Sequence, residues 1–111
     1  MKLTKELIES KIKNVEYLVK DLEEGPRLTL CFITMNNGFI STGQSACIDA
    51  SSFVKEDGEK YAYEQAFSKL WELEAYVVKE EQYQKDLRLA EYTAVINEIK
   101  KLKSHMFNTG D

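Results

Sequence analysis

The sequence predicts a small α+β domain with an N-terminal helix, a β-hairpin and then one long or two consecutive C-terminal helices. Three observations predict this fold. The 21-residue segment Leu28–Ile48 carries no charge and is rich in β-branched and aromatic residues, which favour strands. Apolar residues recur at helical spacing before and after that segment, although 31% of the chain is charged. A chain of 111 residues has the length of one domain, which we predict over 1–111.

Residues 1–25 are predicted to form the N-terminal helix. Thr4 is a suitable N-cap, and Gly25-Pro26 is a suitable end, since Gly accepts the left-handed C′ conformation and Pro cannot continue a helix. Between them, apolar residues recur in steps of three and four and share one helical face: Ile8, Ile12, Val15, Val19 and Leu22. This face serves core packing or, as an alternative, contact with a partner helix.

Residues 27–48 are predicted to form the hairpin, with a type I′ turn at Asn36-Asn37-Gly38. Leu28, Leu30 and Phe32 face one side of the first strand and Cys31, Ile33 and Met35 face the other. Both faces are therefore apolar, and helices or another subunit must cover them. The second strand contains the small polar run 41–45, which is either a solvated edge strand or the wall of a polar pocket. Gly43 in that run indicates a bulge or a close approach by another backbone or a ligand.

The remaining chain is predicted to be helical over 50–80 and again over 84–107. Asp49 begins a capped turn that leads into the first of these helices. The apolar face of the first helix comprises Tyr63, Ala66, Phe67, Leu70 and Leu73. That of the second comprises Leu89, Tyr92, Ile96, Ile99 and Met106, with Val95 and Leu102 beside them. No strong helix breaker lies between Trp71 and Leu89, so a single long helix is the alternative.

Composition and motifs argue against several classes of function. The net charge of −4 leaves no strongly basic surface, so nucleic acid is not an expected partner. No signal peptide or membrane span is expected, which predicts a cytosolic protein with free thiols at Cys31 and Cys47. Phosphate-binding, dinucleotide-binding and zinc motifs do not occur, so we expect no cofactor and no metal. The only histidine, His105, is expected to be a solvent-exposed bystander near the chain's end, and no enzyme is predicted.

Neutral polar groups beside aromatic residues favour a binding site for a small molecule. The second strand offers hydrogen-bonding groups, and the next helix offers rings on which a base could stack. A phosphate would need a cation or a helix N-terminus. The candidate ligand-binding residues are Arg27, Thr42, Gly43, Gln44, Ser45, Asp49, Lys60, Tyr63, Trp71 and Tyr76. The ordinary alternative is that the aromatic residues belong to the core.

Three motifs occur in order within residues 14–80: Asn37-Gly38-Phe39, Thr42-Gly43-Gln44-Ser45-Ala46-Cys47 and Leu70-Trp71-Glu72-Leu73-Glu74-Ala75-Tyr76. In these motifs the chain resembles a family of small tailed-phage accessory proteins that is named after one Escherichia podophage gene and one Shigella podophage gene. Family Pro and Gly residues are Glu72 and Ala75 here, which removes two helix breakers. A family Glu is Gln44 here, so chemistry that uses that carboxylate is not expected in this chain.

The resemblance implies a phage accessory protein made in the cytoplasm of the bacterial host, of the kind that counters host defences. With the candidate site, it predicts a homo-oligomer that sequesters a small nucleotide-derived immune signal without cleaving it. The alternative is an inhibitor that binds a host defence protein directly, since the uncharged hairpin offers a sheet edge for strand addition. Neither nucleic acid nor a membrane is an expected partner.

Overall fold

A computed structural model describes residues 2–23 and 25–107. In chain order the elements are α1 (Lys5–Glu9), β1 (Ile12–Asp21), β2 (Arg27–Met35), β3 (Ile40–Cys47), a 3-10 turn (Ala50–Ser52) and α2 (Lys55–Phe107). The predicted α+β class is confirmed, and the C-terminal part is one long helix. The chain divides into two units, Met1–Tyr76 and Val77–Asp111. That residues 1–111 form a single domain stays a prediction.

The predicted N-terminal helix is wrong beyond Glu9. Only Lys5–Glu9 is helical, with the Thr4 hydroxyl accepting the Leu7 N–H as an N-cap, and Ile12–Asp21 forms β1. Met1 and Glu24, both inside the predicted helix, lie outside the described residues. Within the described residues, three strands form an antiparallel sheet in the order β1-β2-β3. Gly25, at φ +101°, belongs to the loop between β1 and β2, where it permits a backbone conformation that other residues rarely adopt.

A β-bulge explains why β1 imitates a helical pattern. The register shifts between Ile12 and Asn14, so Ile12 pairs with Met35 while Val15 pairs with Ile33. Ile12 and Val15 are three residues apart and yet lie on the same face of the sheet. From Val15 the strand returns to a period of two, and a step of four residues to Val19 is two such periods. The same spacings therefore fit a helix face and a bulged strand.

The hairpin predicted over 27–48 is confirmed as β2 and β3, but its turn differs from the type I′ prediction. Gly38 has φ +91°, whereas no described residue other than glycine has a positive φ. The Gly38 N–H donates to the Met35 carbonyl, and the Met35 N–H donates to the Phe39 carbonyl. This is the three-residue hairpin in which a turn is followed by a left-handed glycine. The Asn37 side chain accepts the Phe39 N–H and stabilises the loop.

One face of the sheet packs against the first half of α2 and forms the core. Alternate residues of β2 point to this inner face, and Cys31, Ile33 and Met35 are buried there. Ala62, Ala66 and Leu70 of α2 cover them, and Ile8 of α1 completes the cluster. The predicted alternation of β2 is confirmed, and a helix covers one of its two apolar faces, as expected.

The α2 backbone approaches β3 so closely that only glycine fits at residue 43. A Cβ atom on Gly43 would lie 2.0 Å from the Ala62 carbonyl oxygen and 2.6 Å from the Ala66 nitrogen. Beside this contact, the buried Ser41 hydroxyl donates to the Ala66 carbonyl at 2.8 Å. The close backbone approach that the sequence indicated at Gly43 is therefore made by α2.

The opposite face of the sheet is apolar and partly exposed. We call it the outer face, and its apolar residues are Leu18, Leu28, Leu30, Phe32 and Ile40. Leu18 and Ile40 each remain 53% exposed, whereas the three residues from β2 are half-buried. An apolar sheet face with this exposure has the character of a contact surface.

The second unit contributes the C-terminal half of α2. Its side chains from 81 to 106 are exposed, apart from half-buried Ile96. Helices predicted separately over 50–80 and 84–107 are thus parts of one helix that begins at Lys55, after the 3-10 turn.

Gly43→Ala should destabilise the protein by at least about 3 kcal/mol, because the added methyl group meets backbone atoms that cannot rotate away. Urea unfolding followed by circular dichroism measures this change. Thr42→Ala is the matched control, since the Thr42 side chain is exposed, and it should cost less than about 1 kcal/mol. Equal stabilities of the two variants would contradict the close contact.

Candidate ligand-binding groove

A groove of about 440 Å³ lies where β1 and α1 approach the first half of α2. We call it the aromatic groove. It is lined by Lys5, Tyr17, Lys60, Tyr63, Glu64, Phe67, Ser68 and Trp71. Four of these eight side chains are aromatic and two are lysines.

Helical spacing places most of the lining on one stripe of α2. Lys60, Tyr63, Phe67 and Trp71 follow one another in steps of three and four residues, so their side chains project in a similar direction. At 1.5 Å per residue, the stripe extends about 16 Å from Lys60 to Trp71. This length accommodates a ligand larger than a single aromatic ring.

Two of the four rings in the groove stack on each other, and two others are partly exposed. Those of Tyr63 and Phe67 are stacked, with centroids 5.7 Å apart and planes inclined by 25°. Phe67 is buried and belongs to the core, whereas Trp71 and Tyr17 are each 39% exposed. The groove therefore combines a stacked pair of rings with two partly exposed rings that a ligand could contact.

Two tyrosine hydroxyls near the groove remain protonated well above neutral pH. Burial raises the pKa of Tyr17, with a smaller contribution from Cys31. Burial also raises the pKa of Tyr63, and the negative charge of Glu9 adds to that rise. Both hydroxyls can therefore donate hydrogen bonds, but neither is a ready base or nucleophile at neutral pH.

Three of the predicted site residues, Thr42, Gly43 and Gln44, lie on the other flank of α2. They line a separate groove of about 360 Å³ together with Leu30, Gln65 and Lys69. Several hydrogen-bonding groups there already have partners within the protein. The Gln44 N–H donates to Gln65 Oε1, and Lys69 Nζ donates to the Thr42 carbonyl. This part of β3 is a sheet edge that α2 side chains cover.

Arg27 and Asp49 have local partners, and Ser45 lies in a third region. Ser45 lines a cavity of about 200 Å³ at the start of α2. The Arg27 guanidinium pairs with Asp21 and lies 4.9 Å from the ring centroid of Phe53.

Asp49 is the N-cap of the 3-10 turn, where its carboxylate accepts hydrogen bonds from the Ser51 hydroxyl and N–H. These hydrogen bonds lower the pKa of Asp49. Tyr76 is 68% exposed and lines none of the three cavities.

The structure thus brings Lys60, Tyr63 and Trp71 together and places the other seven predicted residues elsewhere. Sequence reasoning missed the other five lining residues, which are Lys5, Tyr17, Glu64, Phe67 and Ser68. It missed Tyr17 because residues 12–21 were predicted to be helical. The alternation of Val15, Tyr17 and Val19 is the signal that indicates a strand there, with Tyr17 on the same face as the two valines.

Comparison with known proteins identifies one family. The family model described as Phage protein (N4 Gp49/phage Sf6 gene 66) family matches residues 3–82, which include every residue of the aromatic groove. No curated protein and no solved structure matches the chain. Over the described ranges 2–23 and 25–107, no helix is long and apolar enough to cross a membrane. The same residues hold no group of three or more acidic, histidine or cysteine side chains arranged for a metal.

The two free cysteines should differ in reactivity towards a thiol reagent such as 5,5′-dithiobis(2-nitrobenzoate). Cys31 is fully buried, and that burial raises the pKa of its thiol, so little thiolate forms near pH 8. Cys47 is only half-buried, and we expect it to react in the native protein while Cys31 reacts only after unfolding. Cys47→Ser should abolish native labelling and Cys31→Ser should leave it unchanged; the reverse result would contradict the packing of β2.

Proposed function

Because the chain belongs to the Phage protein (N4 Gp49/phage Sf6 gene 66) family, we propose that it is an anti-defence protein. It binds and sequesters a small nucleotide-derived immune signal in the cytoplasm of the bacterial host. The observation that carries this proposal is the aromatic groove, where stacked rings and two lysines line one cavity of about 440 Å³.

The groove offers both kinds of contact that a nucleotide needs. A base can stack on the exposed ring of Trp71, and such stacking contributes roughly 1–3 kcal/mol per base. The ammonium groups of Lys5 and Lys60 can neutralise phosphates. The Glu64 carboxylate repels phosphates, so it favours poses that place ribose or base edges beside it and phosphates beside the lysines.

We propose binding without cleavage. The ionisable side chains of the groove are two lysines, two tyrosines and Glu64. Both tyrosine hydroxyls are protonated at neutral pH, and burial raises their pKa values further. A lone carboxylate beside lysines does not supply the pair of acid and base that hydrolysis of a phosphodiester commonly uses. A ligand recovered unchanged after the protein is denatured would support sequestration, and recovery of cleaved products would contradict it.

Titration of tryptophan fluorescence tests the site directly, because Trp71 is the only tryptophan of the chain and lines the groove. ADP-ribose and cyclic dinucleotides are suitable probes, and at least one should give a saturable change. Tyr17→Ala should weaken that binding by about 5-fold to 100-fold through lost ring contact. Lys60→Ala should weaken it by about 10-fold through lost charge neutralisation.

Two matched control variants distinguish the loss of contacts in the groove from general effects of removing a lysine or a tyrosine. Lys69→Ala removes a lysine on the opposite flank of α2, and Tyr76→Ala removes an exposed tyrosine outside the groove. Both should retain the affinity of the parent protein. Absence of a saturable response to every probe, or equal loss in the control variants, would refute the groove as a nucleotide site.

The second candidate function is direct inhibition of a host defence protein, and the exposed apolar outer face favours it. Leu18→Glu places a charge on that face at a side chain already 53% exposed, so the fold should persist. If this function is correct, affinity purification from host cells recovers a defence protein with the parent chain and with Lys60→Ala, but at least about 10-fold less with Leu18→Glu. Recovery of no host protein with the parent chain would contradict this candidate.

A further inference from the structure

The side chain of Thr29 places a hydroxyl in the core without a hydrogen-bond partner. Thr29 lies on the inner face of β2, two residues before Cys31, and is 1% exposed. Its Oγ1 atom is buried and has no hydrogen-bond partner within the described residues. Such a hydroxyl destabilises the fold, because it has left water and gained no hydrogen bond in return. Valine has the same shape without this loss, so the hydroxyl indicates a partner outside the chain.

Thr29 lines the cavity of about 200 Å³ at the start of α2. Two neighbours of its hydroxyl line the same cavity. A Cβ atom on Gly58 would lie 2.6 Å from Thr29 Oγ1, and Ser45 is the cross-strand partner of Thr29 on β3. Glycine weakens a helix, but any side chain at residue 58 would collide with this hydroxyl. The unpaired hydroxyl therefore lies between two residues of the cavity lining.

The edge of β3 adds a hydrogen-bond donor and an acceptor to this cavity. The Gln44 N–H donates to Gln65 on α2, so it points away from β2. Ala46 is two residues further along β3, so its N–H and carbonyl also point away from β2. Ala46 lines the cavity. One residue thus presents a donor and an acceptor side by side, and the polar edge of a nucleobase carries the complementary groups.

The other lining residues suit a planar ring that carries an amino group. Phe53 and Tyr61 supply aromatic rings. The Arg27 guanidinium covers one face of Phe53, so Tyr61, which is 57% exposed, is the more accessible of the two. Asp57 is the one charged residue among those that line the cavity, and a carboxylate accepts hydrogen bonds from an amino group. The absence of a lysine or arginine from this lining disfavours a phosphate there.

We propose that the cavity at the start of α2 binds a nucleobase with an exocyclic amino group, the chemistry of adenine, cytosine and guanine. The base stacks on Tyr61, and its amino group donates to the Asp57 carboxylate. The Ala46 backbone and the Thr29 hydroxyl pair with other polar atoms of the ring. The cavity and the aromatic groove share no lining residue. This site therefore goes beyond the proposed function and does not depend on it.

Isothermal titration calorimetry of the full chain with nucleosides tests the ligand class. Adenosine, cytidine and guanosine carry the amino group, whereas inosine and uridine lack it. At least one of the first three should bind saturably. Its counterpart, inosine for the purines and uridine for cytidine, should bind at least about 10-fold more weakly, because Asp57 then has no donor. Absence of saturable binding by all three, or equal affinity for the counterpart, would overturn the proposal.

Thr29→Val tests the buried hydroxyl through two measurements. The midpoint of urea unfolding should stay unchanged or rise, because the hydroxyl has no partner within the described residues. The nucleoside should bind at least about 5-fold more weakly, because the hydroxyl bonds the ligand. An unchanged affinity, or a lower midpoint that reveals a partner within the protein, would each contradict the site.

Asp57→Ala should weaken nucleoside binding by at least about 10-fold, since it removes a charged acceptor. Glu56→Ala is the matched control, because Glu56 is an acid in the same turn of α2 that does not line the cavity. It should change the affinity less than about 3-fold. Tyr17→Ala alters the aromatic groove alone and should leave nucleoside binding unchanged. Equal loss in the two acidic variants, or a loss in Tyr17→Ala, would place the nucleoside elsewhere and overturn the proposal.

Discussion

The structure of the first unit depends on one backbone-to-backbone contact, that of α2 with β3 at Gly43. A helix and a strand can approach this closely only where neither carries a bulky side chain at the crossing. Gly43 on the strand and Ala62 and Ala66 on the helix meet that condition, and both alanines are fully buried. Ser41 then anchors the helix by donating to the Ala66 carbonyl. The small residues of β3 thus determine where α2 lies on the sheet.

This contact gives the two flanks of α2 different surroundings. The flank beside β3 is occupied by packing and by hydrogen bonds that cover the sheet edge. The flank beside β1 keeps a groove, because Tyr17, Tyr63 and Trp71 are too large to allow the same close approach. Small polar residues can therefore occur in a strand because a helix packs closely against it, as well as because a ligand binds there. The ambiguity of residues 41–45 in the sequence has this physical origin.

The elements that were predicted correctly are those whose residue pattern fits only one type of secondary structure. The hairpin followed from an uncharged alternating segment, and α2 followed from long 3–4 spacing without helix breakers. β1 was missed, because the bulge after Ile12 gives it the spacing of a helix face. In the site, Lys60, Tyr63 and Trp71 came together because they share one stripe of α2. Lys5 and Tyr17 join them only through the pairing of β1 with β2, a contact between distant residues that local periodicity does not reveal.

The continuity of α2 has a consequence for how this chain can change in length. Starting a helix is costly, because several residues must be ordered before the first hydrogen bond forms, whereas adding a residue to an existing helix is nearly neutral. Packing on the sheet already orders the first turns of α2. Turns beyond residue 82 can be gained or lost without a new nucleation step. A domain of this design can therefore lengthen or shorten its C-terminal helix through small insertions and deletions.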